Sequence, residues 1–274
     1  MIYVFSSSPE TIERSFKAKG IAYQLVNKEQ YGIFLQEYIP QKGDWGVVYD
    51  FGKIIPESLL QNSLLLNIHF SLLPKYRGAI PVEAAIREGE KKTGITVQKM
   101  AKGMDAGAIL LQREVEIDED WTAGELQTYM DSLLPEIFDK ILLQQPEDWV
   151  FVPQEGEPSY CYIRELTREH AKLEPRNCPA KQFIRNVRAY NPEPLAWMTI
   201  IRNGSETTMN VLRAMPYSES GELAPGTFAF VKKLGLIVGT KKGTVLVTEL
   251  IVAGSKKLAG ENILALKGSL EKIL

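Results

Sequence analysis

The sequence predicts an α/β fold, with a mostly parallel sheet through its first half and a small antiparallel β-barrel after it. Three observations lead there. Strand-like and helix-like segments alternate up to about residue 143. The run 64–70 (LLLNIHF) is almost continuously apolar, the pattern of a parallel strand buried on both faces. From residue 197 onward the texture changes to five short strands separated by turns such as Arg202-Asn203-Gly204 and Lys241-Lys242-Gly243.

Each element has a local reason. Residues 2–6 form a short apolar β run. Ser8 as N-cap, Pro9 at the first helical position and Gly20 past the end bracket the first helix. Residues 21–26 and 45–49 read as further strands, and a helix follows Pro81 over 82–90. The alternation in 94–100 and 108–115 suggests a hairpin or a sheet edge. Thr122 and Glu125 form a capping box ahead of a long amphipathic helix reaching about Leu143. Pro146, Pro153, Gly156 and Pro158 mark a linker texture over 145–159. A helix over 180–188 precedes the barrel strands 197–202, 207–213, 227–231, 236–239 and 244–251. The expected domains are 1–150, a linker over 151–180, and 181–274.

With 45% hydrophobic and 24% charged residues the 274-residue chain belongs with globular proteins rather than disordered ones. Its net charge of −2 hides a segregation. From Lys172 to the end there are fifteen Lys and Arg against eight Glu and no Asp. A basic second half of this kind suits a polyanionic partner, although chance segregation of solvated lysines is a competing explanation. The two cysteines, Cys161 and Cys178, have neither disulfide-framework nor metal-ligand spacing, so no metal site is expected. No stretch approaches the length of a membrane span, and the N-terminus lacks a signal pattern, so a cytoplasmic protein without membrane contact is expected.

Chemistry concentrates in two segments. Asn67 and His69 are two residues apart, so on a strand they point to one face, at the end where open α/β sheets place their ligands. An Asn and a His inside an apolar run cost free energy unless something compensates them. The second segment, 98–107 (QKMAKGMDAG), puts a lone Asp105 between glycines on a tight loop after a strand. On residue chemistry alone, a satisfied core histidine and an ordinary turn aspartate remain the alternatives. His170, the other histidine, lies in a polar stretch behind Thr167 and reads as surface.

The pattern Asn67-x-His69-x-Ser71-Leu72-Leu73-Pro74-x-x-Arg77-Gly78, followed by Met104-Asp105-Ala106-Gly107, resembles the folate-dependent formyltransferases, nearest to members acting on methionyl-tRNA. The likeness continues through residues 93–97 (TGITV), 188–197 (RAYNPEPLAW) and 224–227 (APGT), covering nearly everything from about residue 21. It implies a Rossmann-like catalytic domain and an OB-like C-terminal domain. It implies transfer of a formyl group from 10-formyltetrahydrofolate to the amine of initiator methionyl-tRNA, by a monomer. Asn67, His69 and Asp105 would be catalytic, with Asp105 orienting His69 and favouring its charged form. Val48, Tyr49, Asp50, Phe51, Gly52 and Ile54 match the pterin pocket, and Ser71, Leu72, Leu73, Pro74 and Met104 would complete the folate site. Arg77 and Gly78 would lie toward the acceptor, Arg77 meeting an anion or a structural salt bridge. Lys232, Lys233, Lys241, Lys242, Lys256 and Lys257 would track tRNA phosphates.

The chain departs from the family at its start. The first β–α unit is expected to be missing, which could expose a strand edge at the sheet centre that the remaining chain must cover, and a basic loop is cut to Ser6-Ser7-Ser8-Pro9. Two alternatives therefore stand beside the tRNA reading: a formyltransferase acting on an amino sugar nucleotide, and a non-catalytic RNA-binding relative.

Overall fold

The computed structural model describes residues 1–39, 41, 43–217 and 223–274. The elements in chain order are β1 (Ile2–Ser6), α1 (Glu10–Ala18), β2 (Gln24–Val26), α2 (Tyr31–Glu37), β3 (Trp45–Tyr49), α3 (Glu57–Asn62), β4 (Leu64–His69) and β5 (Arg77–Gly78). Next come α4 (Pro81–Glu88), β6 (Lys92–Lys99), β7 (Ile109–Glu116), α5 (Ala123–Leu142), β8 (Tyr160–Cys161) and α6 (Ala180–Ala189). The remaining strands are β9 (Trp197–Arg202), β10 (Ser205–Tyr217), β11 (Phe228–Val231), β12 (Gly235–Gly239), β13 (Thr244–Val252), β14 (Leu258–Ala259) and β15 (Leu270–Ile273). They form two compact units. The first comprises Met1–Pro81, Lys92–Ile117 and Leu126–Cys161, and the second comprises Val82–Lys91, Asp118–Glu125 and Tyr162–Leu274.

In the first unit six strands form one sheet in the order β2-β1-β3-β4-β6-β7. The first four are parallel, and β6 and β7 add the expected antiparallel hairpin at one edge. Apolar runs make this possible, since Val47, Leu65, Leu66 and Ile68 are all buried between covering layers. On one face Phe5 meets Phe34 of α2 edge-on at 5.3 Å. On the other face, α5 buries Leu126, Met130, Leu134, Ile137, Phe138 and Ile141 at helical spacing, with Phe138 edge-on to Phe16 of α1 at 5.5 Å. The helix after β1 and the helix after β2 thus lie on opposite faces. The strand order reverses between β1 and β3, where open α/β sheets leave a crevice at the carboxyl ends.

In the N-terminal region the remaining chain covers the strand edge, and the cap reading is corrected. Strand β1 is paired on both sides, to β2 and to β3, so no edge is exposed at the sheet centre. Pro9 occupies the N-cap position of α1, and no side chain caps it. Ser8 is drawn away because its hydroxyl donates to Asp50 Oδ2 at 2.7 Å. The capping box at α5 forms as read: Thr122 N–H donates to Glu125 Oε2 at 2.8 Å, and Glu125 N–H donates to Thr122 Oγ1 at 3.3 Å.

In the second unit α6 buries Phe183 and Val187 against an antiparallel, barrel-like sheet of order β11-β12-β13-β10-β9-β15, with β14 paired to β13. The five predicted strands are present. Strands β14 and β15 were missed, being two and four residues long and following turns without clear alternation. Among the described residues no helix is long and apolar enough to cross a membrane, and no group of His, Cys, Asp and Glu side chains is arranged to hold a metal ion.

Candidate active site

Asn67 and His69 sit at the carboxyl end of β4 and share a face with Gln98 and Thr96, their register partners on β6. Asp105 reaches the same place from the loop joining β6 to β7, with a left-handed backbone at φ +45°. Its carboxylate gathers donors from three separate segments. Oδ1 accepts from Asn67 Nδ2 at 3.2 Å and from Gln98 Nε2 at 2.9 Å. Oδ2 accepts from the Gly78 N–H at 2.9 Å and lies 3.6 Å from His69 Nδ1. The sequence had offered Gln98 only as part of the strand leading to the loop. Its position opposite Asn67 in the β4–β6 register makes it a full partner of Asp105.

His69 is 6% exposed, and its Nε2 lies 2.8 Å from the Tyr76 carbonyl. A carbonyl only accepts, so Nε2 carries the proton in this geometry, an assignment made from the partner. Nδ1 is then the nitrogen left for proton exchange, beside the carboxylate but beyond direct hydrogen-bond distance from it.

The loop from Phe70 to Gly78 is tied down along its length. Thr96 Oγ1 donates to the Ser71 carbonyl at 2.6 Å and accepts the Leu73 N–H at 3.2 Å. Ser71 Oγ donates to the Lys75 carbonyl at 2.6 Å. Two glycines are sterically required. A Cβ on Gly78, whose φ is +124°, would fall 1.9 Å from the Cys161 carbonyl oxygen, and one on Gly107 would fall 1.6 Å from that of Lys99. Arg77 forms no ion pair among the described residues; its Nε and Nη2 donate to Gln154 Oε1 at 3.2 and 2.7 Å.

The residues expected to line the folate pocket divide. Val48 and Phe51 are in the hydrophobic core, and Ser71 and Leu73 are buried, so their side chains are taken up in packing or loop anchoring. Tyr49 is buried on the α5 face, where its hydroxyl donates to Asp131 and accepts from Gln127 Nε2. Burial pushes the Tyr49 phenol and the Asp131 carboxyl above their ordinary values, the nearby Asp131 raising the phenol further. Asp50 and Gly52 are exposed, Leu72 and Pro74 half-buried, and Ile54 and Met104 are 91% and 51% exposed. The Lys102–Glu57 ion pair at 3.1 Å brings the loops carrying Met104 and Ile54 close together.

In the second unit the six lysines are exposed but do not share one patch. Lys232 and Lys233 turn β11 into β12, and Lys256 and Lys257 follow β13, at one end of the sheet. Lys241 and Lys242 turn β12 into β13 at the opposite end, next to the start of α6, where Lys242 O accepts the Ala180 N–H at 3.1 Å. Lys257 is paired with Glu249 at 2.6 Å. His170 is exposed, with Nδ1 2.7 Å from Thr167 Oγ1, as a surface residue.

Comparison with known proteins gives the arrangement its setting. The chain is 28% identical over 258 residues to the methionyl-tRNA formyltransferase of Bacillus velezensis, covering 93% of this chain and 80% of that one. It superposes on HypX from Aquifex aeolicus in complex with tetrahydrofolic acid with a TM-score of 0.72 at 18% identity. All of this chain is matched there, and it spans 50% of that protein's length. An N-formyltransferase from Helicobacter canadensis, in complex with folinic acid and dTDP-3-aminofucose, superposes with a TM-score of 0.64 at 17% identity, over 90% of this chain and 97% of that one. These two likenesses establish a shared fold. The sequence pattern described as "Formyl transferase" matches residues 3–141, and that described as "Formyl transferase, C-terminal domain" matches residues 165–268. The chain therefore belongs to the formyl transferase family.

Proposed function

We propose that this protein moves a formyl group from 10-formyltetrahydrofolate to the amine of initiator methionyl-tRNA, with catalysis in the first unit and phosphate contact in the second. The observation that carries this reading is the convergence of Asn67, His69 and Asp105, from two distant segments, on one carboxylate-centred cluster. The folate supplies the activated formyl group. The exposed apolar side chains of Ile54 and Met104, on neighbouring loops, fit a flat heterocycle at the carboxyl end of the sheet.

The chain's own groups have distinct tasks. Asn67 spends one amide N–H on Asp105, which leaves the second to face the formyl oxygen where negative charge develops. His69 takes the proton of the attacking amine on Nδ1, because Nε2 is committed to the Tyr76 carbonyl. Asp105 stabilises the imidazolium from 3.6 Å until the proton passes to the folate nitrogen, whose bond to the formyl carbon breaks to release tetrahydrofolate. Its three donors hold it in place, which preorganises the site before substrate arrives.

The choice of tRNA as acceptor is supported by the Bacillus velezensis relative and by the basic second half of the chain. The Helicobacter canadensis likeness favours an amino sugar nucleotide as the second reading. One assay tests both: purified protein with 10-formyltetrahydrofolate and either methionyl-initiator tRNA or dTDP-amino sugars. Formylation of the tRNA is expected; formylation of the sugar alone would replace the acceptor, and formylation of neither would overturn the proposal.

A further inference from the structure

The stretch between α5 and β8 runs along the site as a strap. Val152 exchanges hydrogen bonds with Ile109, at 2.8 and 2.9 Å, at the start of β7. Ser159 accepts the Tyr76 N–H on its Oγ at 2.8 Å, accepts the Arg77 N–H on its carbonyl at 2.8 Å, and donates to the Pro74 carbonyl at 3.3 Å. Between these anchors lies Gln154. Its Nε2 donates to the carbonyls of Asp105 at 2.8 Å and Gly107 at 2.7 Å, while Oε1 accepts both Arg77 donors. Turning the amide over would set its NH₂ against a guanidinium and its oxygen against two carbonyls, so this orientation is the one its partners permit.

Every hydrogen-bonding position of that amide is used, and all of them serve the two loops that bear on Asp105. The contacts close a ring: the Asp105 carboxylate holds Gly78, the preceding Arg77 holds Gln154, and Gln154 holds the Asp105 carbonyl. Asp105 adopts a backbone conformation that a non-glycine residue enters at a cost, so a fixed partner on its own carbonyl matters more here than on an ordinary turn. We infer that Gln154 is a positioning residue for the transfer reaction, clamping the Asp105 loop to the Arg77–Gly78 segment so that the carboxylate stays in register with His69. This rests on the functional reading above.

The test pairs kinetics with a measurement that needs no turnover. Gln154→Met keeps the volume and removes every hydrogen bond, whereas Gln154→Glu retains the acceptor for Arg77 and removes both donors. In both variants kcat is expected to fall roughly 10- to 100-fold, as a small misplacement of a catalytic group does, with KM for 10-formyltetrahydrofolate within about twofold. Amide hydrogen exchange at Gly78 and Gly107 should accelerate while that of Ile68 and Val97, within β4 and β6, stays unchanged. Exchange at both glycines unchanged in Gln154→Met, or kcat within about twofold of wild type despite a lower melting temperature, would overturn the inference. A wild-type protein that formylates no amine would refute the functional reading alone, because the exchange measurement still decides whether Gln154 clamps the loops.

Discussion

Asp105→Asn is the substitution that probes the site most cleanly, because asparagine tolerates the left-handed backbone at φ +45° and matches the carboxylate in size. The carboxylate accepts two N–H groups on Oδ1 and one on Oδ2. A carboxamide has one oxygen, and the best placement sets it where two donors converge, toward Asn67 and Gln98. Its NH₂ then faces the Gly78 N–H, which loses its acceptor, and His69 Nδ1, which gains a donor. One unsatisfied backbone N–H costs about 1–3 kcal/mol. In a chain of this size that lowers the melting temperature by about 2–4 °C for each kcal/mol, so the variant stays folded. The catalytic effect is larger. The new amide caps the nitrogen assigned to proton exchange and removes the charge that would stabilise the imidazolium, and loss of such acid–base work costs roughly 10²- to 10⁴-fold in kcat. The measurements are formyl-transfer rates at saturating donor together with a thermal melt. A folded Asp105→Asn protein with kcat within about tenfold of wild type would refute the assignment of Asp105 and, with it, of Nδ1 as the base.

The remaining predictions concern the acceptor and the fold. Four exposed cations, Arg176, Lys181, Lys241 and Lys242, gather where α6 starts beside the β12–β13 turn, so that end of the sheet is expected to meet tRNA phosphates. Replacing Lys241 and Lys242 by Ala should flatten the slope of log Kd against log salt by about 2 at most, while replacing Lys232 and Lys233 leaves it unchanged; the reverse pattern would move the interface to the other end. Burial raises the Asp131 carboxyl, so its ionised form is disfavoured in the folded state, and the stability this group contributes at low pH is lost as pH rises through its folded value. Asp131→Asn keeps an acceptor for Tyr49 and should raise the melting temperature at neutral pH, with the gain shrinking toward pH 4; a loss of stability at neutral pH would sink this account.

Much of the architecture was legible because local rules and global fold agree. The apolar run 64–70 became the fully engaged strand β4, and the Thr122–Glu125 pair caps α5 as its spacing demanded. The three catalytic candidates converge because strand periodicity fixed the facing of Asn67 and His69, while the glycines around Asp105 fixed the turn. Less local features were hidden. Gln154 finds its partners 47, 49 and 77 residues away, and prolines and glycines around it read only as punctuation. The lysine pairs look alike in sequence, and only the alternation of up and down strands sends 241–242 to the end opposite 232–233 and 256–257. Ser8 has every local qualification for a cap, yet Asp50, 42 residues away, competes for its hydroxyl.

His69 shows why residue chemistry alone left two readings open. A histidine retained only for packing commonly closes both ring nitrogens in hydrogen bonds. His69 closes one. Its Nδ1 makes no hydrogen bond among the described residues and instead stands 3.6 Å from a carboxylate that is already supplied with three other donors. That carboxylate is held by donors other than the imidazole. In the proposed reaction this leaves Nδ1 open to the attacking amine, with the carboxylate beside it.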